Sequence, residues 1–236
     1  MEWRERDGVK WLEADLGGAR AAFSTRLGGV SEPPFADLNL GILTDDDREA
    51  VEENRRRLAR ALSFEPEQVV FALQVHGTRL IHHPCRESLP EADGHVVTES
   101  GLVPMVLAAD CLPVALHGPG GLAMVHAGWR GLASGIVEAA AGAVEATAAA
   151  VGPGIGRCCY EVGEEVLNAF DDLGHGIADG RMLDLPEVAH RKLTQAGVEQ
   201  VEVAGLCTSC ERELFFSHRR DRGRTGRQAG IAWIEA

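Results

Sequence analysis

Three short segments each put a donor atom suited to a transition metal at the polar tip of an apolar run. They are Gln74-Val75-His76-Gly77, Ala109-Asp110-Cys111 and Val125-His126-Ala127-Gly128-Trp129-Arg130-Gly131. Imidazole nitrogen and thiolate sulfur both suit Zn²⁺, and three protein ligands leave one tetrahedral position for water or substrate. The donors span 126 − 76 = 50 residues, so only the fold can bring them together. The competing reading is three buried polar residues satisfied by ordinary hydrogen bonds. Asp110, next to Cys111, is the nearest acidic group in sequence for proton transfer at such a centre, and it reads equally well as a strand-end cap. In an extended segment Asp110 and Cys111 would face opposite sides. A shared cavity therefore requires a bend or bulge there, and Pro113 makes a break in regular pairing plausible.

An anion site has its own candidates. The loop Ser24-Thr25-Arg26-Leu27-Gly28-Gly29 offers hydroxyls, a guanidinium and backbone amides, and Arg130 adds a second planar fork. Ser24 and Arg26 are expected on the rim of the metal cavity; the alternative for a Gly-Gly loop is a tight turn. Cys207-Thr208-Ser209-Cys210 is a CxxC, readable as a redox pair or as half a zinc knuckle, with no second CxxC in the chain. Cys158 and Cys159 are adjacent, which makes an ordinary disulfide between them sterically poor, and they read as small buried hydrophobes beside Tyr160. The arginines at 219, 220, 222, 224 and 227 read as a loop bridging acidic surface, with one of them reaching the active site.

These groups need elements to position them. Strands are expected at 20–24, 69–75, 80–82, 103–109, 113–116, 122–125, 201–204 and 231–234, several ending in Gly, Asp or His as buried strands with polar tips do. Helices are expected over 45–62, 131–143, 164–173 and 186–196, the first with acidic residues at its start and Val51, Leu58 and Leu62 on one face. Adjacent strands without intervening helices exclude a doubly wound parallel sheet. The expectation is one α+β domain over residues 1–236, a mixed sheet with helices packed outside. Lys+Arg 23 against Asp+Glu 36 gives a net charge of −13, which disfavours a general nucleic-acid binder. No apolar run approaches the roughly 20 residues a bilayer span needs, so no membrane partner is expected. The charged N-terminal residues lack the apolar core of a signal peptide, which points to the cytoplasm.

In order along the chain stand FSTRLGGVS, NLG, QVHG, ADG, ADCLPV, HAGWRG, GPGIGRCCYEVG, LCT and FSHRRDRGRTGRQ. This ordered set resembles the laccase-domain family, variously called multicopper polyphenol oxidoreductase, bacterial purine nucleoside phosphorylase and peptidoglycan-editing factor. The resemblance runs from Phe23 to Ile234 and implies a compact α/β/β/α fold. It implies that His76, Cys111 and His126 hold Zn²⁺, and it adds Asn39 of the NLG motif to Ser24, Arg26 and Arg130 as substrate- or phosphate-binding candidates. The copper label fits less well. A blue-copper centre adds a weak axial ligand such as Met, laccase chemistry needs further copper sites, and the chain has no recognisable His-x-His cluster.

The implied reaction is phosphorolysis of adenosine, inosine, guanosine or methylthioadenosine, with hydrolytic deamination of adenosine. Purine nucleosides and phosphate are then the partners, and Asp110 is the candidate proton carrier, with Asp93 or a water chain as substitutes. Three alternatives stay open: a zinc amidase editing peptidoglycan precursors, a metal-free hydrolase with Cys111 as nucleophile and His126 as base, and a non-enzymatic partner-binding protein.

Overall fold

The computed structural model describes residues 1–85 and 89–235. Strands β1 (Glu2–Arg6), β2 (Val9–Asp15) and β3 (Ala19–Ser24) form an antiparallel meander. Helix α1 (Arg48–Leu62) follows, then β4 (Val69–Val70), β5 (Leu80–His82), β6 (Gly94–Val97), β7 (Val103–Ala108), β8 (Leu112–Gly118) and β9 (Gly121–Ala127). Helices α2 (Trp129–Ala133) and α3 (Ile136–Val144) lead into β10 (Ala148–Val151). Helix α4 (Glu164–Asn168), the hairpin β11 (Ala178–Asp179) and β12 (Met182–Leu183), α5 (Leu185–Gln195), β13 (Gln200–Val203) and β14 (Gln228–Ile234) complete the order.

The described residues build two six-stranded sheets, ordered β1-β2-β3-β14-β7-β4 and β13-β10-β8-β9-β6-β5. Both are mixed: β4 pairs parallel with β7, β5 with β6 and β10 with β13, and the other pairings are antiparallel. The period-2 alternation of side chains assigns the layers. In β2, Val9 and Trp11 pack with Leu58 and Ala61 of α1, while Leu12 and Ala14 pack with Leu122 and Met124 of the opposite sheet. In β8, Leu112, Val114 and Leu116 turn outward onto α3 and α5, and Ala115 turns inward. The result is helix, sheet, sheet, helix, an α+β architecture with alanines thinning the inter-sheet core. Among the described residues no helix is long and apolar enough to cross a membrane.

Helix α1 begins where Asp47 caps it: the carboxylate accepts from the Glu49 amide at 2.7 Å, a contact worth about 1 kcal/mol. Elsewhere the elements differ from the expectation in instructive ways. The helix expected over 131–143 is two, because Gly135 adopts φ 90° and separates α2 from α3. The strand expected over 69–75 stops at Val70. Beyond it the Gln74 side chain takes the place of a ladder partner, accepting from the Leu107 amide (2.8 Å) and donating to the Leu107 carbonyl (2.7 Å). The strands β1, β2 and β6 lay outside the expectation. The EWRER sequence of β1 is exposed throughout and carries no apolar alternation.

Candidate metal centre and cavity

The three sequence-designated donors converge. His76, Cys111 and His126 offer donor atoms that all lie within 4.8 Å of one another. The two imidazoles meet edge to face, with ring centroids 4.9 Å apart. Each donor arrives differently. His126 is the penultimate residue of β9. Cys111 ends the three-residue link by which the chain crosses from β7 in one sheet to β8 in the other. His76 sits on the loop after Gln74. Two non-glycine residues here have left-handed backbone, His76 (φ 60°) and Asp110 (φ 92°), a concentration of strain usual at functional sites. Gly128 leaves room for the cluster: a Cβ there would lie 3.0 Å from the Cys111 sulfur and 3.1 Å from the His76 ring.

Asp93 organises the centre and was only a reserve candidate in the sequence. Its side chain is fully buried. Oδ2 accepts the amides of Val75 (3.1 Å) and Gly77 (2.7 Å), and Oδ1 accepts the His76 amide (3.0 Å) and His126 Nδ1 (2.8 Å). Burial alone would raise the Asp93 pKa, but the His126 bond and the amides outweigh it and hold the carboxyl below its usual range. An ionised carboxylate only accepts, so Nδ1 of His126 carries a proton and Nε2 is left for the metal. Burial would push the Cys111 thiol up; the charges and hydrogen bonds of His126 and His76 reverse this and bring it down to about 6. His126 moves the opposite way: burial opposes its charge, yet Cys111 and Asp93 raise its pKa. The donor set, its convergence and the Asp93 brace fit a metal ion.

The centre opens into a cavity of about 540 Å³, the size class of small-molecule sites. Leu43, Phe71, Leu107 and Ile155 give it apolar walls, and Tyr160, Arg55, Arg219 and Arg227 give it polar reach. Burial and the neighbouring Cys111 charge push the Tyr160 phenol up to about 12, so it stays protonated. Arg55, on α1, donates through Nε to the Leu40 carbonyl and lies over the Phe71 ring, while its Nη2 is buried without a hydrogen-bond partner. Burial pulls its pKa down to about 10. No methionine lies among the described residues lining the cavity, so the axial sulfur of a blue-copper site has no source there.

Asp110 and Cys111 both line the cavity, because the chain bends at Asp110 as a shared site requires. The Asp110 carboxylate accepts from the Thr208 hydroxyl (2.7 Å) and from the Arg219 amide (2.7 Å). The anion candidates Ser24, Arg26, Asn39 and Arg130 are absent from the described cavity lining. Ser24 is buried, its hydroxyl oxygen accepting from the Ala229 amide at 2.9 Å. Arg26 donates to the carbonyls of Ala36 and Arg212 and stacks over Phe216. Its Gly-Gly neighbours serve close packing: a Cβ on Gly28 would lie 2.4 Å from the Gly8 carbonyl oxygen, and one on Gly29 2.1 Å from that of Asp37. Arg130 is exposed and lies over Trp129. Asn39 is buried and acts at one remove, its Oδ1 accepting the backbone amide of Arg227 at 2.8 Å. Two arginines of the C-terminal basic loop, Arg219 and Arg227, reach the cavity where one was expected.

Arg55 and Tyr160 carried no signal of their own. Arg55 stands in a run of arginines that reads as a solvated helix face.

The four-layer fold and a His-Cys-His cluster at the seam of two mixed sheets define a class of α+β domain with a candidate metal centre. Residues 20–235 match the family described as multi-copper polyphenol oxidoreductase laccase, and the chain belongs to that family. Among curated relatives, a protein of Shigella flexneri named purine nucleoside phosphorylase YfiH is 40% identical, over 92% of this chain and 94% of its own. Purine nucleoside phosphorylase YlmD of Geobacillus stearothermophilus is 37% identical over 92% of each chain. Among solved structures, the hypothetical protein YfiH of Bacillus licheniformis superposes with a TM-score of 0.89 at 32% identity, covering 99% of both chains. The structure of YlmD from Geobacillus stearothermophilus superposes with a TM-score of 0.88 at 34% identity, covering 99% of this chain and 98% of that one.

Proposed function

We propose that the chain is a zinc-dependent purine nucleoside phosphorylase acting on adenosine, inosine, guanosine and methylthioadenosine, with adenosine deaminase activity. The observation that carries this reading is the opening of the His76, Cys111 and His126 cluster into a cavity that also holds half-buried arginine, Arg55 and Arg227. The names of the curated relatives support the phosphorylase part. A Zn²⁺ ion held by His76, Cys111 and His126 would supply Lewis acidity to the cavity. In phosphorolysis a phosphate oxygen attacks C1′ of the ribose, the C1′–N9 bond breaks, and its electron pair leaves with the purine, which takes up a proton. Arg55 and Arg227 hold the phosphate: Arg55 has an unsatisfied guanidinium nitrogen, and Arg227 is a half-buried cation kept in place through Asn39. Phe71 and Leu107 exclude water from the base, and the protonated Tyr160 phenol donates a hydrogen bond to it. In deamination water adds at C6 and ammonia leaves; Asp110 takes the proton from water and passes it on. Both Asp110 oxygens already accept one hydrogen bond, and each retains a lone pair for that transfer.

The test is metal-replete protein with inosine, with and without phosphate, and with adenosine for ammonia release. Phosphate-dependent release of free base, lost on chelation and restored by Zn²⁺, is the expected result, and Cys111→Ala should abolish both activities and lower metal content. Absence of phosphate-dependent base release would overturn the reading. A second reading has its own support: Cys111, His126 and Asp93 form a thiolate, imidazole and carboxylate relay without any metal. Hydrolysis that survives chelation and disappears in Cys111→Ala would favour it.

A further inference from the structure

The two cysteine pairs that the sequence leaves apart, Cys158-Cys159 and Cys207/Cys210, come together away from the cavity. Their four sulfurs all lie within 4.8 Å of one another, and all are free thiols. Cys210 Sγ is 3.3 Å from Cys158 Sγ and 3.4 Å from Cys159 Sγ. One sulfur equidistant from two others does not describe a pair of disulfides in waiting; it describes four donors aimed at one point. The backbone explains how adjacent cysteines can aim together. Residues 157–159 form a helical turn, with the Cys159 and Tyr160 amides bonded to the Gly156 carbonyl. Successive side chains of such a turn diverge by about 100°, whereas those of a strand point oppositely. On the other side, Cys207 to Cys210 is a tight turn closed by the Cys210 and Glu211 amides on the Cys207 carbonyl. The Cys207 sulfur accepts the Gly156 amide at 3.3 Å and faces the amides of Ser209 and Cys210.

We propose that Cys158, Cys159, Cys207 and Cys210 form a second, closed metal site that holds a structural Zn²⁺. Four thiolates with Zn–S near 2.3 Å place tetrahedral sulfurs about 3.8 Å apart, inside the range seen here, from 3.3 Å up to 4.8 Å at most. Ligation displaces the thiol protons to solvent and leaves no position open, so this ion carries structure. What it fastens is specific. One half of the site lies on the loop between β10 and α4, which also carries Ile155 and Tyr160; the other lies after β13, beside Thr208. Thr208 bonds the Asp110 carboxylate, and the Ile155 amide bonds the Asp110 carbonyl. The second ion thus clamps the two loops that fix the bend at Asp110. This inference does not rest on the proposed reaction.

The test uses the full chain purified under reducing conditions, with metal measured by elemental analysis and native mass spectrometry. Wild type should carry about two zinc ions per chain, Cys111→Ala/His126→Ala about one, and Cys158→Ser/Cys210→Ser about one. Titrating Co²⁺ into the Cys111→Ala/His126→Ala chain should give a strong thiolate-to-cobalt charge-transfer band, weakened when Cys207→Ser is added. Should either double variant fail to fold, X-ray absorption on wild-type zinc decides. Sulfur should outnumber nitrogen in the first shell, whereas the His-Cys-His centre alone supplies one sulfur. A metal-free Cys111→Ala/His126→Ala chain, a nitrogen-dominated wild-type shell, or a mass showing these cysteines oxidised to disulfides would overturn the proposal.

Discussion

Asp93→Asn tests whether a buried carboxylate holds the donor cluster together. Four donors face the two Asp93 oxygens, two on each. An asparagine of the same shape has one oxygen and one amide nitrogen, so whichever end becomes nitrogen meets two N–H groups head on. With the nitrogen at Oδ2, the Val75 and Gly77 amides lose their acceptor and the His76 loop is released; with it at Oδ1, the His76 amide and His126 Nδ1 lose theirs. The Val75, His76 and Gly77 amides are only part-buried, so each hydrogen bond lost costs about 0.5–1.5 kcal/mol and the substitution should destabilise the metal-stripped chain by about 1–3 kcal/mol. Losing the brace on a metal-ligating histidine should also weaken Zn²⁺ binding by about 10–100-fold. Urea denaturation after chelation reads the first quantity, and competition against a chromophoric chelator reads the second. Stability within about 0.5 kcal/mol of wild type, as at an ordinary surface position, together with unchanged zinc affinity, would refute the reasoning.

Arg55→Met should raise the phosphate KM of phosphorolysis by about tenfold or more, the scale of one charge-assisted hydrogen bond, and leave adenosine deamination near wild type; equal losses in both reactions would show that Arg55 holds the nucleoside or the fold. Asp110→Asn should retain zinc yet lose about a hundredfold in deamination rate, within the range of a lost acid/base, and near-normal turnover would remove Asp110 as proton carrier. His95 is buried against His83, at 3.1 Å, and burial, followed by the His83 charge, pulls its pKa down to about 3. The fold accepts it neutral, so its stability contribution is full above the unfolded pKa of about 6.5 and is lost as pH falls toward 3, amounting to about 2 kcal/mol between pH 7 and pH 5. Denaturant melts of His95→Gln at those two pH values should show that much less pH dependence, and an unchanged slope would remove His95 as the source.

The candidate metal donors His76, Cys111 and His126 were legible in the sequence because each ends an apolar run at a polar tip, and because the surrounding motifs resemble a known family. The α1 helix was legible from its acidic start and apolar face. The anion site was not, because Gly28-Gly29 beside Arg26 carries the same letters whether it cradles a phosphate or lets two backbones touch; only the 2.4 Å and 2.1 Å clashes of added Cβ atoms separate the two. Asp93 was nearly invisible, since one carboxylate organising two distant histidines is a tertiary fact. Strand β1 hid behind charge because it lies at the exposed edge of its sheet, where no apolar face is required of it.

The crossing from β7 to β8 has a mechanical consequence. Cys111 closes that crossing, His126 lies next to the end of a strand of the second sheet, and His76 hangs on a loop tied to the first sheet through Gln74 and to the second through Asp93. In the unfolded chain the donors are separated by 111 − 76 = 35 and 126 − 111 = 15 residues. An ion held by all three acts as a rivet through the sandwich, present only when both halves are seated. Its binding energy adds directly to the stability of the folded state, by about 4 kcal/mol at a free metal concentration a thousandfold above Kd. Loosening of the alanine-lined seam far from the cavity would reach the chemistry as a lower affinity for the ion, so the resistance of this protein to heat should track the supply of metal around it.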